Sequence, residues 1–252
     1  MIKLSVNVNK IALLRNARSL DLNIPDVCEL TAVIARSGAD GITVHPRPDQ
    51  RHIRYDDAYQ VSQLLRSDFP KVEYNIEGNP FTGSYMDIIA DLKPDQATLV
   101  PDMPGQNTSD HGWNLDKENQ KKLKPVIKKL KDCRVRVSLF MDPHPEGIKL
   151  AAELGTDRVE LYTEPYASAF RKNTAVEQTL QKYVIAAKTA LDSGLGLNAG
   201  HDLNLHNLDK FCRTLPGILE VSIGHALIAE ALRFGLEITV KKYLEILSIK
   251  NS

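Results

Sequence analysis

The stretch Leu4-Ser5-Val6-Asn7-Val8-Asn9-Lys10-Ile11, near the amino terminus, decides between two folds. Its first residues alternate between apolar and polar, which is the pattern of a β-strand. The residues that follow, Asn7-Val8-Asn9-Lys10-Ile11, lack the glycine fingerprint that joins the first strand to the first helix in a doubly wound dinucleotide-binding sheet. A chain of strands and helices that starts in this way favours a closed barrel, with the doubly wound open sheet as the main alternative.

The same strand-then-helix pattern recurs along the whole chain. Strand patterns occur at Leu4–Asn9, Gly41–His45, Val72–Glu77, Gln96–Pro101, Arg136–Asp142, Arg158–Thr163, Gly196–Gly200 and Glu220–His225. Helical spacing occurs at Pro25–Ser37, Asp56–Asp68, Ser84–Leu92, Lys117–Asp132, Pro145–Leu154, Ala175–Ser193, Leu205–Thr214, Ala226–Gly235 and Ile238–Leu247. Eight strands give about 31 residues per strand, the size of a βα unit. The count predicts an α/β fold: a single-domain (β/α)8 TIM barrel over residues 1–252 with an extra C-terminal helix.

Glycine and proline mark several predicted helix ends. Gly38, Gly155 and Gly194 follow helical runs, where a left-handed residue commonly closes a helix. Pro25 and Pro145 stand where a helix can begin without losing a hydrogen bond. These positions support the predicted division into units.

Composition excludes several classes of protein. The chain has 32 Lys and Arg against 32 Asp and Glu, so no surplus of positive charge attracts nucleic acid or an anionic membrane surface. No apolar run approaches the roughly 20 residues that span a bilayer. Three cysteines without CxxC spacing, Cys28, Cys133 and Cys212, suggest reduced thiols rather than disulfides or a zinc site. We expect a cytoplasmic protein without nucleic-acid or membrane partners.

Ionisable side chains collect at the carboxyl ends of the predicted strands, where barrel enzymes build their active sites. Histidine exchanges protons near neutral pH, and a carboxylate whose pKa is raised by burial can share that work. His45, Glu77, Glu160 and His201 are therefore candidates for a reaction with several proton transfers. Glu73 competes with Glu77 on the same strand, but Glu77 is nearer the carboxyl end.

A second set of residues predicts phosphate binding. Residues 1–55 hold eight Lys and Arg against five Asp and Glu, and Arg18 and Arg47 with His52 could bind phosphate. At Gly224-His225 a predicted strand gives way to a helix, and barrels frequently bind phosphate at such a helix amino terminus. Two phosphate pockets predict two phosphorylated substrates or one doubly phosphorylated substrate.

Two other chemistries are less favoured. No metal site is expected, because strand one ends in Asn and Lys instead of the His-x-His pair of metal-dependent barrel hydrolases. Lys10 could form a Schiff base, as in a phosphosugar aldolase or isomerase on the same barrel. However, it lies just beyond strand one, and the lysine of such aldolases usually lies on a later strand.

Six stretches, in order from the first strand to the last, closely resemble the pyridoxine 5'-phosphate synthase family. They are Val6-Asn7-Val8-Asn9-Lys10-Ile11-Ala12-Leu13-Leu14-Arg15-Asn16-Ala17-Arg18, Gly38-Ala39-Asp40-Gly41-Ile42-Thr43-Val44-His45-Pro46-Arg47, Asp49-Gln50-Arg51-His52-Ile53, Val137-Ser138-Leu139-Phe140, Asn198-Ala199-Gly200-His201 and Ile223-Gly224-His225-Ala226.

The resemblance implies a TIM barrel that condenses 1-deoxy-D-xylulose 5-phosphate with 3-amino-2-oxopropyl phosphate to give pyridoxine 5'-phosphate, phosphate and water. It implies no metal or organic cofactor, and an assembly of eight chains. By family resemblance, His45 and Glu77 accept protons, His201 donates a proton and Glu160 stabilises the transition state. The residues implied to contact the sugar phosphate are Asn9, Lys10, Arg47, His52 and Thr108. Those implied to contact the amino ketone phosphate are Asn7, Arg18, Asp202, Gly224 and His225.

The sequence departs from the family pattern at three places. One is the loop around Thr108, Asn107-Thr108-Ser109-Asp110-His111-Gly112-Trp113, which matches the usual family pattern only loosely. Asn9-Lys10 stands where the family often has Asp-His, and Asp202 stands where glycine is common, so only a backbone contact of Asp202 carries over. The last two departures motivate a further alternative, a barrel that binds phosphate ligands without turnover. None of them affects the four candidate proton-transfer residues.

Overall fold

Eight parallel strands close into one barrel, in sequence order, in a computed structural model that describes residues 1–18, 22–103, 105 and 109–248. The strands are β1 Lys3–Asn7, β2 Gly41–Val44, β3 Glu73–Gly78, β4 Gln96–Leu99, β5 Arg136–Met141, β6 Arg158–Tyr162, β7 Gly196–His201 and β8 Ile218–Ile223. Ser5 of β1 pairs with Gly41 of β2 and with Ser222 of β8, which closes the ring. The predicted TIM barrel is confirmed, and the open sheet is excluded.

Helices follow the strands around the outside of the barrel. Those in the described residues are α1 Asn9–Asn16, α2 Val27–Arg36, α3 Tyr55–Asp68, α4 Tyr85–Leu92, α5 Lys117–Asp132, α6 Pro145–Glu153, α7 Glu164–Lys172, α8 Val176–Asp192, α9 Leu208–Thr214, α10 His225–Phe234 and α11 Leu236–Ser248. Nine correspond to predicted helices, whereas α1 and α7 were not predicted. None of the helices in this part of the chain is long and apolar enough to cross a bilayer.

Two predicted strand ends are wrong in the same way. Strand β1 ends at Asn7, and Asn9 is the first residue of α1. The backbone N–H of Asn9 donates to Asn7 Oδ1 at 3.0 Å, and this local bond favours a turn over further strand. Strand β8 likewise ends at Ile223, and His225 begins α10. Both corrections place a helix amino terminus at the barrel mouth.

Most of the predicted helix ends are confirmed. Gly38, Gly155 and Gly194 have positive φ angles of 102°, 85° and 75°. Pro145 is the first residue of α6. Pro25 does not begin α2, because Asp26 caps that helix by accepting the Glu29 backbone N–H.

The apolar core lies between the barrel and its helices, and the inside of the barrel is polar. Leu4 and Val6 are completely buried in the core. Because successive strand residues face opposite sides of a sheet, Ser5 and Asn7 point into the barrel. There the Ser5 hydroxyl lies 2.8 Å from the Thr43 hydroxyl, which accepts a hydrogen bond from Asn75. The barrel interior is therefore a hydrogen-bonded layer beneath the mouth.

The two glutamates of β3 lie at opposite ends of the strand. Glu73 lies at the amino end and forms ion pairs with Lys3 and Arg136. Burial raises the pKa of Glu73, but the hydrogen bonds from Lys3 and Arg136 outweigh it and leave the pKa below its usual value. Glu77 lies four residues nearer the mouth. Glu73 therefore lies at the amino ends of the strands, and Glu77 lies nearer their carboxyl ends, as the sequence predicts.

Candidate active site

A cavity of about 320 Å³ opens at the carboxyl ends of the strands. Twelve of the fourteen residues predicted for the site line it: Asn7, Asn9, Lys10, His45, Arg47, His52, Glu77, Glu160, His201, Asp202, Gly224 and His225. Arg18 is exposed just after α1 and does not line this cavity. Thr108 lies outside the described residues. The roles of all fourteen residues remain predictions, but the structure brings twelve of them together in one cavity.

A chain of amide hydrogen bonds links β1 to the proton-transfer candidates. Asn7 Nδ2 donates to Glu77 Oε2 at 3.2 Å. Asn9 Oδ1 accepts the backbone N–H of His45 at 2.9 Å. Since the Asn9 backbone N–H donates to Asn7, the two asparagines connect Glu77 with the start of the His45 loop. They hold both groups at one side of the cavity.

Two carboxyl groups in the cavity have raised pKa values. Burial, reinforced by the charges of Asp102 and Glu220, raises the pKa of Glu77 to about 8. Burial, with Glu77 and Glu220 nearby, raises the pKa of Glu160 well above its usual value. Glu160 Oε2 is buried and has no hydrogen-bond partner among the described residues. A pair of such carboxyl groups can hold protons near neutral pH and exchange them with a substrate.

His45 and His52 lie beside each other as neutral imidazoles. Their ring centres are 5.9 Å apart. Burial lowers the pKa of His45 well below its usual value and that of His52 to about 3, with Arg47 contributing in both cases. His52 Nδ1 accepts the Ile53 backbone N–H at 2.9 Å, so its Nε2 carries the proton and can donate. A neutral His45 is able to accept a proton.

His201 stands at the end of β7 on a strained backbone. Its φ angle is +102°, which is rare for any residue other than glycine. Its Nδ1 is hydrogen-bonded to Asp202 Oδ2, and its ring meets Tyr162 edge-on at 5.4 Å between centres. The Asp202 backbone N–H donates to Thr163 Oγ1. Strain of this kind at a cavity, held by several contacts, is typical of functional residues.

Arg47 forms a buried ion pair that the sequence did not predict. Arg47 Nη1 donates to Asp102 Oδ2 at 2.8 Å, and both side chains are about 5% exposed or less. Ser109 also donates to this oxygen, at 2.9 Å. Asp102 directly follows the predicted end of strand four, so its position was a signal, but it was not included among the candidates.

Other residues of the cavity wall were also missed. Val100 and Phe140 form an apolar patch with Tyr162, and Ser109 and Ser222 add hydroxyl groups. Apolar residues at or just beyond the ends of strands resemble core residues in a sequence, so only the cavity distinguishes them.

Two helix amino termini open at the cavity. Asn9 and Lys10 begin α1, and His225 begins α10 after Gly224. Neither helix has a side-chain hydrogen bond at its N-cap. Backbone N–H groups at such ends, together with the helix dipole, bind anions. A β-carbon on Gly224 would lie 3.1 Å from Asn7 Cβ, so glycine lets α10 approach β1 closely.

Because Gly200 has no side chain, there is room beside it for the carboxyl group of Glu160. A β-carbon at Gly200 would lie 2.2 Å from Glu160 Oε1 and 3.1 Å from the backbone oxygen of Ser222. We expect Gly200→Ala to displace the Glu160 carboxyl group and to lower kcat by roughly 10- to 100-fold, since small misplacements of a catalytic group have effects of this size. Gly147→Ala is the control, because its β-carbon would contact only the tip of Met141. An unchanged kcat in a folded Gly200→Ala variant would show that the position of Glu160 is unimportant.

A cavity lined by carboxyl, imidazole and guanidinium groups at the C-terminal face of a (β/α)8 barrel defines the chain as a barrel enzyme. Residues 4–249 match the family model described as pyridoxal phosphate biosynthesis protein PdxJ. The chain belongs to this family, which confirms the resemblance seen in the sequence.

Relatives described as pyridoxine 5'-phosphate synthases match over almost their whole length. The pyridoxine 5'-phosphate synthase of Flavobacterium johnsoniae is 50% identical over 97% of this chain and 99% of its own. That of Bacteroides thetaiotaomicron is also 50% identical, over 96% and 98%, and that of Brucella anthropi is 46% identical, over 98% and 99%.

Solved structures of other barrels share the fold alone. A tryptophan synthase from M. tuberculosis superposes with a TM-score of 0.62 at 12% identity, covering 99% of this chain and 93% of its own. Phosphoribosylanthranilate isomerase from Thermotoga maritima gives 0.58 at 13% identity, covering 98% of both chains. Identities this low carry no inference about activity.

Proposed function

We propose that this chain is a pyridoxine 5'-phosphate synthase of vitamin B6 biosynthesis. It condenses 3-amino-2-oxopropyl phosphate with 1-deoxy-D-xylulose 5-phosphate and forms pyridoxine 5'-phosphate, phosphate and water. The observation that carries the proposal is the set of proton-exchanging groups in one cavity: Glu77 and Glu160 with raised pKa values, neutral His45, and His201. Building an aromatic ring from two ketones requires repeated proton transfers, and this set provides donors and acceptors at neutral pH.

The first steps use Glu77 and His45. The amine of one substrate forms an imine with the ketone of the other, and the two residues then accept protons while water and phosphate leave. His45 is suited to this role because burial keeps it neutral. Glu77 becomes a base when its proton leaves, which a pKa near 8 permits at slightly alkaline pH.

The later steps use His201 and Glu160. His201 donates a proton during carbonyl addition and ring closure, with Asp202 bonded to its Nδ1 to hold the ring orientation. Glu160 stabilises the transition state through Oε2, which has no protein hydrogen-bond partner within the described part of the chain. A final loss of water gives the aromatic ring.

The two phosphates bind at the amino termini of two neighbouring helices, α1 and α10. The sugar phosphate contacts Asn9, Lys10, Arg47 and His52, around the start of α1. The amino ketone phosphate contacts Asn7, Gly224, His225 and the Asp202 backbone, around the start of α10. Thr108 and Arg18 complete the proposed contacts. The steps are acid–base steps, so the proposal includes no metal or organic cofactor.

The assembly and compartment follow from the family resemblance and the composition. We propose a homo-octamer in the cytoplasm. Light scattering after gel filtration is expected to give a mass near eight times the 28.1 kDa of one chain. A species of one or two chains would contradict this assembly.

The proposal is tested by incubating the protein with both substrates and following pyridoxine 5'-phosphate. We expect product only when both substrates are present. Borohydride reduction in the presence of the sugar phosphate tests the aldolase alternative: covalent trapping on Lys10, with loss of activity in Lys10→Met, would contradict the proposal. Tight binding of both substrates without product would support a ligand-binding barrel instead.

A further inference from the structure

Beyond the cavity wall, we propose that Asp102 is a positioning residue for the proposed reaction: it orients Arg47 towards the sugar phosphate, and its negative charge acts on Glu77. The inference rests on the proposed function and assigns a role to a side chain outside the substrate cavity. Asp102 instead lines a neighbouring cavity of about 270 Å³. Arg47 and His45 line both cavities, so Asp102 acts on the site from behind it.

The contacts of Asp102 hold the Arg47 guanidinium in place. Arg47 Nη1 donates to Asp102 Oδ2, and Arg47 Nη2 donates to the Met103 backbone oxygen at 3.4 Å. The Asp102 backbone is fixed in turn, because its oxygen accepts from Asn79 Nδ2 at 3.0 Å. An arginine side chain has many rotamers, and a buried carboxylate partner selects one of them. Arg47 therefore faces the cavity in a preset orientation.

The second oxygen of Asp102 supports an electrostatic role. Oδ1 is buried and has no hydrogen-bond partner among the described residues, while Oδ2 accepts from both Arg47 and Ser109. Within this part of the chain, hydrogen bonds therefore stabilise the carboxylate of Asp102 at Oδ2 only. Because the surroundings of this buried carboxylate have low polarity, they screen its charge less than water does. After burial, Asp102 is the largest cause of the raised pKa of Glu77.

Other ionisable groups also surround these two carboxyl groups. Around Glu77 are His45 after β2, Asp102 after β4, Glu160 on β6, His201 on β7, Glu220 on β8 and Lys10 on α1. Around Asp102 are Arg47, His201 and His111. Asp102 and Glu220 both act on Glu77 from outside the substrate cavity, and Asp102 has the larger effect. Removing Asp102 therefore changes the charge near Glu77 without removing a substrate contact.

The test compares Asp102→Asn, Arg47→Met and the double variant over a range of pH. We expect Asp102→Asn to raise KM for the sugar phosphate by roughly 10- to 100-fold, with a smaller change in kcat, because Arg47 loses its orientation. We also expect the acidic midpoint of the kcat/KM profile to fall by about one pH unit, because a negative charge near Glu77 is removed. In the Arg47→Met background, Asp102 lacks the cation that favours its charged form, so Asp102→Asn should add little to KM and should shift the midpoint less than it does alone.

The double variant keeps the test valid if Asp102→Asn alone does not fold. It removes both charges of the pair and leaves no unpaired buried guanidinium. Its KM for the sugar phosphate is compared with that of Arg47→Met, and a large further rise would overturn the positioning role of Asp102. Asp132→Asn, at an exposed carboxylate on α5, controls for the loss of one charge. A midpoint unchanged by Asp102→Asn when Arg47 is present, or an equal rise in KM in both backgrounds, would overturn the inference. Wild-type turnover in the same assay separates this outcome from a failure of the proposed function.

Discussion

Replacing Glu77 by glutamine is expected to lower turnover strongly and to make the fold more stable at pH 8. The loss of a general base commonly costs about 10²- to 10⁴-fold in kcat. In the wild type, kcat/KM should rise with pH towards about 8, where Glu77 loses its proton. This rise should be absent from any residual activity of Glu77→Gln. The amide can still pair with Asn7, which preserves the local structure.

The gain in stability follows from the raised pKa. Glu77 binds its proton more tightly in the folded state than in the unfolded chain, so the wild type loses stability as pH rises from about 4.5 to 8. Glutamine removes this loss, and we expect a gain of about 1 to 3 kcal/mol at pH 8. The gain should disappear near pH 4 in urea unfolding.

Glu73→Gln is the matched control on the same strand. Its pKa is lowered in the folded state, so its carboxylate stabilises the fold above the unfolded pKa, and that contribution is lost as pH falls. Glu73→Gln should therefore destabilise the fold at pH 8 and leave kcat nearly unchanged. If both variants changed stability in the same direction at pH 8, the assignment of opposite environments to the two glutamates would be wrong.

Asp57→Ala is expected to produce the largest loss of stability. Arg15 Nη1 and Nη2 donate to the two oxygens of Asp57 at 2.6 and 2.7 Å, and both side chains are less than 10% exposed. Removing one partner of such a pair leaves a buried charge, which costs about 3 to 5 kcal/mol. Asp57 also accepts the Arg54 backbone N–H at the start of α3, so that helix loses its cap.

The same pair supports the loop that carries His52. Arg15 Nη2 and Asn16 Nδ2 both donate to the His52 backbone oxygen, so KM for the sugar phosphate should rise in Asp57→Ala. Asp209→Ala is the control: it breaks an exposed ion pair with Arg213 and should cost less than about 1 kcal/mol. If Asp57→Ala and Asp209→Ala lowered the free energy of unfolding in urea equally, burial would not account for the contribution of the Arg15–Asp57 pair.

The strands could be predicted from sequence because each one alternates between the core and the barrel interior. Their ends at the mouth could not be predicted as well. Asn9 and His225 read as strand ends, but both begin helices, since the turn depends on the Asn7 side chain in one case and on a glycine in the other. Helix α7 was not predicted because the strand pattern Arg158–Thr163 runs up to its first residue, although Pro165 marks a helix start.

The site residues could be predicted where their place near the carboxyl end of a strand is enough to put the side chain in the barrel mouth. That is why Glu77, Glu160, His45 and His201 lie together. The arginines of residues 1–55 could not be separated in this way, because their partners are distant in sequence. Arg15 pairs with Asp57, 42 residues away, and Arg47 pairs with Asp102, 55 residues away. Only the fold shows that Arg15 is structural and that Arg47 faces the cavity.

The most direct test of the account measures both products in one reaction. The purified protein is incubated with 3-amino-2-oxopropyl phosphate and 1-deoxy-D-xylulose 5-phosphate, and pyridoxine 5'-phosphate and inorganic phosphate are quantified together. The account predicts equal amounts of the two products, with neither formed when one substrate is omitted. Absence of both products in a folded preparation, or release of phosphate without pyridoxine 5'-phosphate, would contradict it.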